Sequence, residues 1–373
     1  MKISVSRLNA DATTAFAIEF DNKTFDIEIE YPSLSVNNYD FAVWPLLLYA
    51  MKHGLPIEID EPVSADLQFN VDILKSFLSR HQKLVPIEVR PTRPLPVARG
   101  YLPGNIIPFS GGVDSCFTLL YHHFELRRKI DLAMMVKGLD LSDEREFALA
   151  CDRNRSILSL TGTASIQLRT NIRERFKPAG WKLHSDFVLA GFLHLFHTLC
   201  GHAFISGEGD AGLLAVRECF ETPFLNERLF FLFGNDTMLI QNFEGANHTK
   251  TQKVAFIARF PEIRTYLRVC WESRHHSNCG HCTKCIMTQL AFIAVIGSVP
   301  PCFPAPANES DVRGLLHSIR ESKASDPDSP AVILPKEFFD ILRTAALNNI
   351  RHPLLELIKG AEAPMDRAST ALV

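Results

Sequence analysis

An α/β fold built on a doubly wound parallel sheet is what the sequence predicts, on three observations. Between Asn105 and Gly207, short apolar runs alternate with longer amphipathic stretches, the β-α-β rhythm of a parallel sheet. The first of these runs, Ile106 to Phe109, leads into a Ser-Gly-Gly turn that opens a helix. Proline clusters bracket the region: Pro91-Thr92-Arg93-Pro94-Leu95-Pro96 before it, and Pro300, Pro301, Pro304 and Pro306 after it.

Residues 1–98 open with period-two runs at Lys2 to Ser6, Ala15 to Phe20 and Thr24 to Glu30, expected as strands of a small sheet. Apolar residues at helical spacing follow at Phe41 to Met51 and Leu67 to Leu78, then a short strand at Leu84 to Val89, giving an N-terminal α+β cap. Residues 99–300 form the central domain, with strands at Ile106 to Phe109, Leu132 to Val136, Ser165 to Leu168 and Ala203 to Ile205. Its helices are expected at about 115–129, 143–160, 185–201 and 250–259, with a further strand at Tyr266 to Val269 joining the sheet. Residues 301–373 read as a C-terminal helical extension, interrupted at Ser322 to Pro330.

Of the 373 residues, 46% are hydrophobic and 22% charged, which excludes collagen-like, fibrous and disordered classes. The 39 basic and 42 acidic side chains leave a formal charge of −3, so no global basic field exists and nucleic acid is not expected as a partner. Met1 to Phe20 contains Asp11 and Glu19 and lacks the apolar centre of a signal peptide. Phe41 to Met51 is too short to span a bilayer. A cytoplasmic protein with no membrane partner is expected. Nine cysteines then imply reduced thiols, among which a cluster reads as a metal site.

Ser110-Gly111-Gly112-Val113-Asp114-Ser115 sits between a strand and a helix, the setting of a phosphate cradle. Adjacent glycines let the backbone approach an anion, and amides at the helix N-terminus point at it. Ser110 and Ser115 can add hydroxyl donors, while Asp114 can fix the loop or hold a metal ion. The bland alternative is a glycine turn with a Ser or Asp helix cap. The spacing is not that of the Gly-x-x-x-x-Gly-Lys-Ser/Thr loop of kinases and ATPases.

Cys270, Cys279, Cys282 and Cys285 give C-x8-C-x2-C-x2-C, four thiolates able to close tetrahedrally around one Zn²⁺. Such a centre has net charge −2, which Arg268, Arg274 and Lys284 can offset. With four protein ligands it has no open position for water, so scaffolding is its expected role. An iron–sulfur cluster and coincidental reduced cysteines are the alternatives.

The loop resembles the PP-loop of the N-type ATP pyrophosphatases (adenine nucleotide alpha-hydrolase-like fold). This implies that the β and γ phosphates of ATP are held as the leaving group while the α phosphorus is attacked. Together with Cys-Gly-His-Cys-Thr-Lys-Cys at 279–285 and the Thr249-Lys250 pair, it resembles the 7-cyano-7-deazaguanine synthase (QueC) family over roughly residues 104–297. That resemblance implies an ATP-dependent carbon–nitrogen ligase using ATP, Mg²⁺ and Zn²⁺. Its substrate would be a small-molecule carboxylate, 7-carboxy-7-deazaguanine or an analogue, adenylated and then converted to an amide or nitrile by ammonia, or joined to a partner-protein amine. Two segments depart from the family: Gly207-Glu208-Gly209-Asp210-Ala211-Gly212, with Arg217-Glu218-Cys219, stands at the base-recognition stretch, and Leu183-His184-Ser185-Asp186 replaces an Arg-Asn segment. The added N- and C-terminal lengths make the chain more similar to QueC-like proteins of anti-phage operons; a homodimer is left open.

Further residues complete the candidate set. Ser110, Asp114, Lys250 and Asp210 are the catalytic candidates, with Lys250 holding ATP phosphates or the acyl-adenylate and Asp210 binding Mg²⁺ or an amine. Ser110 to Ser115, with Asp140 beyond the second strand, are the nucleotide-binding candidates. For Lys250 the alternative is a Thr-capped helix start with a solvated Lys; for Asp210, a plain loop. His194, His197 and His202, expected on one helical stretch, read as packing or surface residues, and Cys116 as a small apolar side chain. Arg173, Arg175 and Lys177 form a solvated face or an RNA contact. The competing functions are tRNA sulfuration, which predicts an iron–sulfur chromophore or a reactive cysteine, and a non-catalytic module that senses ATP.

Overall fold

Strands β1 (Lys2–Ala10), β2 (Thr13–Phe20) and β3 (Lys23–Ile29) form an antiparallel meander. The β2–β3 turn is Asp21-Asn22, both at positive φ (44° and 58°), a two-residue geometry whose twist matches its strands. Six of the remaining strands are β4 (Ile57–Ile59), β5 (Val89–Pro91), β6 (Asn105–Pro108), β7 (Leu132–Lys137), β8 (Ala164–Thr170) and β9 (His202–Ser206); the last is β10 (Leu239–Phe243). The computed structural model describes residues 1–10, 13–31, 34–82, 84–93, 95, 100–176, 181–207, 231–243, 248–270, 275–325 and 334–359.

All the described strands belong to one sheet, in the order β10-β9-β6-β7-β8-β3-β2-β1-β4-β5. The expected small N-terminal sheet is therefore corrected. β3 pairs antiparallel with β8, Ile27 opposite Thr170 and Ile29 opposite Leu168, and the meander continues the central sheet. The β10-β9-β6-β7-β8 block is parallel throughout.

The helices, in chain order, are α1 (Asp40–His53), α2 (Ala65–Gln82), α3 (Val113–Phe124), α4 (Glu144–Leu158), α5 (Ile172–Phe176) and α6 (Trp181–His194). After β10 come α7 (Lys250–Ile257), α8 (Pro261–Tyr266), α9 (Thr283–Ile296), α10 (Glu309–Ser325), α11 (Leu334–Leu347) and α12 (Pro353–Ile358). Successive strand residues feed opposite faces, because side chains alternate along a strand. Ile106, Met134, Ala203 and Ile205 join the core that α1, α2 and α6 complete, whereas Ile107, Ala133 and Phe204 join the one built with α3, α7 and α9. The central strands are thus covered on both faces, as a doubly wound sheet requires. α1 and α6 cross closely at Gly191, where an added Cβ would lie 2.7 Å from Pro45 Cδ.

Two further expectations change. The strand expected at Leu84 to Val89 begins at Val89. The one expected at Tyr266 to Val269 does not enter the sheet: Arg268 N–H donates instead to the carbonyl of Gly111 (2.9 Å), and β10 occupies the sheet edge beyond β9. β4, only three residues long, and β10 were not expected from the sequence.

Strand order sets a topological switch point between β6 and β9. From β6 the chain steps to β7 and β8 on one side, then returns to lay β9 and β10 on the other. At such a reversal the connections at the carboxyl ends of β6 and β9 diverge and leave a cleft. No described helix is long and apolar enough to cross a membrane.

A chain beginning at residue 99 would strip β3 from β8 and remove Phe25, Ile27, Phe41 and Trp44 from the core they share with Ile106 and Leu168. It is expected to aggregate and show no cooperative thermal transition. A monomeric 99–373 fragment with a sharp calorimetric peak would contradict this.

Candidate functional site

The loop after β6 occupies the predicted crevice. Gly111 has φ +75°, and a Cβ there would sit 2.1 Å from Asn154 Oδ1, so backbone conformation and space both demand glycine. Gly112 precedes α3 in extended conformation, and no side chain caps the helix, which leaves its first amides facing the loop. Ser115 Oγ donates to the Gly112 carbonyl (3.2 Å) and lies 3.4 Å from Ser110 Oγ, while Gly112 N–H reaches Ser110 Oγ at 3.4 Å. Pro108 is the last residue of β6, where its missing N–H costs no ladder bond.

Asp114, in the first turn of α3, is gripped by two ammonium groups. Lys250 Nζ donates to Oδ2 (2.6 Å) and Lys253 Nζ to Oδ1 (2.9 Å). Lys253 also donates to the carbonyl of Gly207 (2.7 Å), just past β9, and so bridges the two strand ends that flank the crevice. Its side chain is 1% exposed, against 28% for Lys250. Burial pushes the Asp114 carboxyl up, but the two lysines outweigh it and hold the group at about 2.

The lysines are delivered by the start of α7. Thr249 is its N-cap, accepting from Gln252 N–H while Gln252 Oε1 accepts from Thr249 N–H, a complete capping box. Thr249 Oγ1 also donates to Asp340 on α11, so the C-terminal extension reaches the site helix. Lys250 was the expected cation here; Lys253 was not singled out, although a spacing of three places both on one helical face. Asp140 lies exposed in the turn after β7, within electrostatic reach of Arg268. Asp210 lies outside the described residues, as do Glu208, Gly209 and the 217–219 segment.

Behind the loop stand the four cysteines. Their sulfurs all lie within 4.8 Å of one another, with Cys270 to Cys282 and Cys279 to Cys285 each at 3.8 Å. A tetrahedral ion bonded to sulfur at about 2.3 Å needs sulfurs about 3.8 Å apart, so the quartet can bind a metal ion such as zinc. Asn278, buried, braces the centre: Oδ1 accepts from Val269 and Cys270 N–H (2.8 and 3.1 Å), and Nδ2 donates to the Leu267 and Cys302 carbonyls (both 2.9 Å). Gly280, at φ +87°, turns the chain where a Cβ would lie 1.9 Å from the Ala305 carbonyl oxygen. Cys282 then stands at the N-cap position of α9, with no capping bond from its side chain. Asn154, whose Nδ2 lies 3.6 Å from Met135 Sδ, and Asn278, bonded to backbone groups, are further residues that sequence patterns did not reveal, because their partners sit elsewhere along the chain.

The remaining described cysteines are packing residues. Burial pushes the Cys116 thiol strongly up, and those of Cys151, Cys200 and Cys302 to about 12. His194 and His197 are buried, His194 Nε2 on the Phe233 carbonyl (2.7 Å) and His197 Nε2 on Asn37 Oδ1 (2.5 Å); the single helical stretch expected for the three is corrected, since α6 ends at His194, His197 lies in the turn that follows and His202 starts β9. Burial lowers the pKa of both. Compared with family models, with curated proteins and with solved structures, the chain matches none.

Asp114→Asn leaves Lys253 buried without a counter-charge and is expected to cost about 3 kcal/mol in denaturant unfolding at pH 7. The folded pKa, about 2, lies below the ordinary 3.8, so the ion pair's contribution is complete above 3.8 and is lost as pH falls through about 2. The stability gap between wild type and variant should therefore close over that window; a gap unchanged with pH would contradict the pairing. For the cysteines, elemental analysis should find one metal per chain, and Cys282→Ser should lose it and lower Tm.

Proposed function

We propose that the chain is a PP-loop, QueC-like ATP-dependent ligase that activates a small-molecule carboxylate by adenylation. The observation that supports it most is the convergence on one crevice of the Ser110 to Ser115 loop, the first turn of α3 and two lysines of α7. The loop amides and the Ser110 and Ser115 hydroxyls would take the β and γ phosphates as a unit. Lys253, buried and bonded to Gly207, would keep Asp114 in place. Lys250, the more exposed cation, can pass from Asp114 to a phosphate oxygen and stabilise the charge that develops there. With Asp114 thereby released on one oxygen, the site can accept Mg²⁺, which would neutralise charge between the phosphates.

In the proposed first step a carboxylate oxygen bonds to the α phosphorus as the bond from that phosphorus to the α–β bridging oxygen breaks, releasing pyrophosphate. In the second, an amine attacks the acyl carbon, AMP leaves, and the amine's proton is lost to solvent. Most of the rate would come from positioning and charge stabilisation. The substrate class, 7-carboxy-7-deazaguanine or an analogue, and the acceptor, ammonia or a partner-protein amine, follow from the resemblance of the loop, Thr249-Lys250 and the cysteine run. Zn²⁺ in the quartet would act as scaffold. Antiviral defence is the proposed setting, on the same resemblance.

Incubation with ATP, Mg²⁺, 7-carboxy-7-deazaguanine and ammonium, or a candidate acceptor protein, should yield pyrophosphate, AMP and a product of matching mass. Ser110→Ala should abolish AMP formation with Tm unchanged, and Lys250→Met should lower kcat by about a hundredfold. ATP binding without AMP under every condition would leave a nucleotide sensor in place of a ligase.

A further inference from the structure

We infer that Arg268 is a positioning residue that ties the phosphate loop to the four-cysteine centre, so that a metal ion in the centre orders the loop. The inference rests on the assignment of 110–115 as a phosphate loop. Two bonds in different directions make the tie. The peptide N–H of Arg268 donates to the Gly111 carbonyl (2.9 Å), at the one loop residue whose positive φ and lack of side-chain space permit only glycine. Two residues later the same extended segment supplies Cys270, whose N–H is held by Asn278. A shift of the cysteine along the chain would therefore pull on the loop.

The side chain points to a charge role as well. Arg268 is only 7% exposed. Its Nε donates to the His275 carbonyl (3.2 Å), yet Nη2 is buried without a hydrogen-bond partner. The acidic groups within reach of its charge are Asp140 and the thiols of Cys270 and Cys285. A buried guanidinium with an unused donor is costly. Four thiolates around a divalent ion carry −2, which would turn this cost into an attraction. Lys284 is only half-buried, which leaves Arg268 as the buried cation among the described residues flanking the quartet.

The test uses the full chain loaded with Zn²⁺. The first measurement is the rate of Zn²⁺ transfer to a chromophoric chelator without nucleotide. Arg268→Gln is expected to release metal about tenfold faster or more, and Arg268→Lys, which keeps the charge, to stay within a few-fold of wild type. Equal rates for wild type and Arg268→Gln, or equal losses in both variants, would overturn the counter-charge role. The second is hydrogen exchange at amides 111–115. Removing the metal from wild type should speed it about tenfold while α1 stays protected, and Arg268→Gln, which keeps the peptide N–H on Gly111, should exchange near the wild-type rate while its metal is bound and fast once the metal is lost. Loop exchange indifferent to metal would overturn the tie. If Arg268→Gln does not fold, the wild-type exchange comparison and Arg268→Lys still decide the matter. ATP titration of loaded wild type is the separate arm: failure to bind sinks the ligase assignment and leaves both other measurements able to judge Arg268.

Discussion

Asp114 is a carboxylate placed where only two ammonium groups make it tolerable, and the arrangement of the surrounding elements follows from that constraint. A largely buried charge needs an opposite charge with further hydrogen bonds, or its desolvation exceeds what it gains. Lys250 and Lys253 meet the requirement from one helical face, and Lys253 spends its remaining reach on the Gly207 carbonyl. One side chain thereby links three places: the helix start after β6, the end of β9, and the start of α7. The cluster is compact because each group satisfies another. The difference in exposure between the lysines separates a holding role from one that can meet a ligand.

The sheet provides the frame for this cluster. A parallel block covered on both faces forces its connections to the strand ends, and the reversal of strand order opens the crevice at β6 and β9. The N-terminal meander adds no new sheet; it extends the existing one through β3 and shares its apolar core. At the other end of the chain, Asp340 of α11 holds the Thr249 hydroxyl that caps α7. Segments before and after the central region therefore bear on the same site helix. Residues outside the Ser110 to Ser115 loop and the cysteine run contribute to the position of the lysines.

The four-cysteine centre and the loop are neighbours through an extended segment that the sheet did not recruit. Arg268 to Cys270 give their N–H donors to the loop carbonyl and to Asn278, and Leu267 gives its own to the Ile263 carbonyl, which is why a stretch with strand-like composition stays out of the ladder. Four cysteines able to hold a metal ion need a fixed backbone, and Asn278, Gly280 and the start of α9 supply it.

From the sequence by itself came the parallel α/β centre, the Ser110 to Ser115 turn, the cysteine quartet and Lys250. All are encoded locally: periodicity reports burial over a few residues, and a loop or ligand run works through neighbours along the chain. Tertiary structure alone decided that Lys253 shares Asp114 across 139 residues, that Asn154 walls off Gly111, that β3 joins β8, and that Arg268 turns its N–H to the loop. A single Lys, Asn or Arg carries no signature of its partner, because charge pairing and close approach depend on distances that only the packed sheet sets.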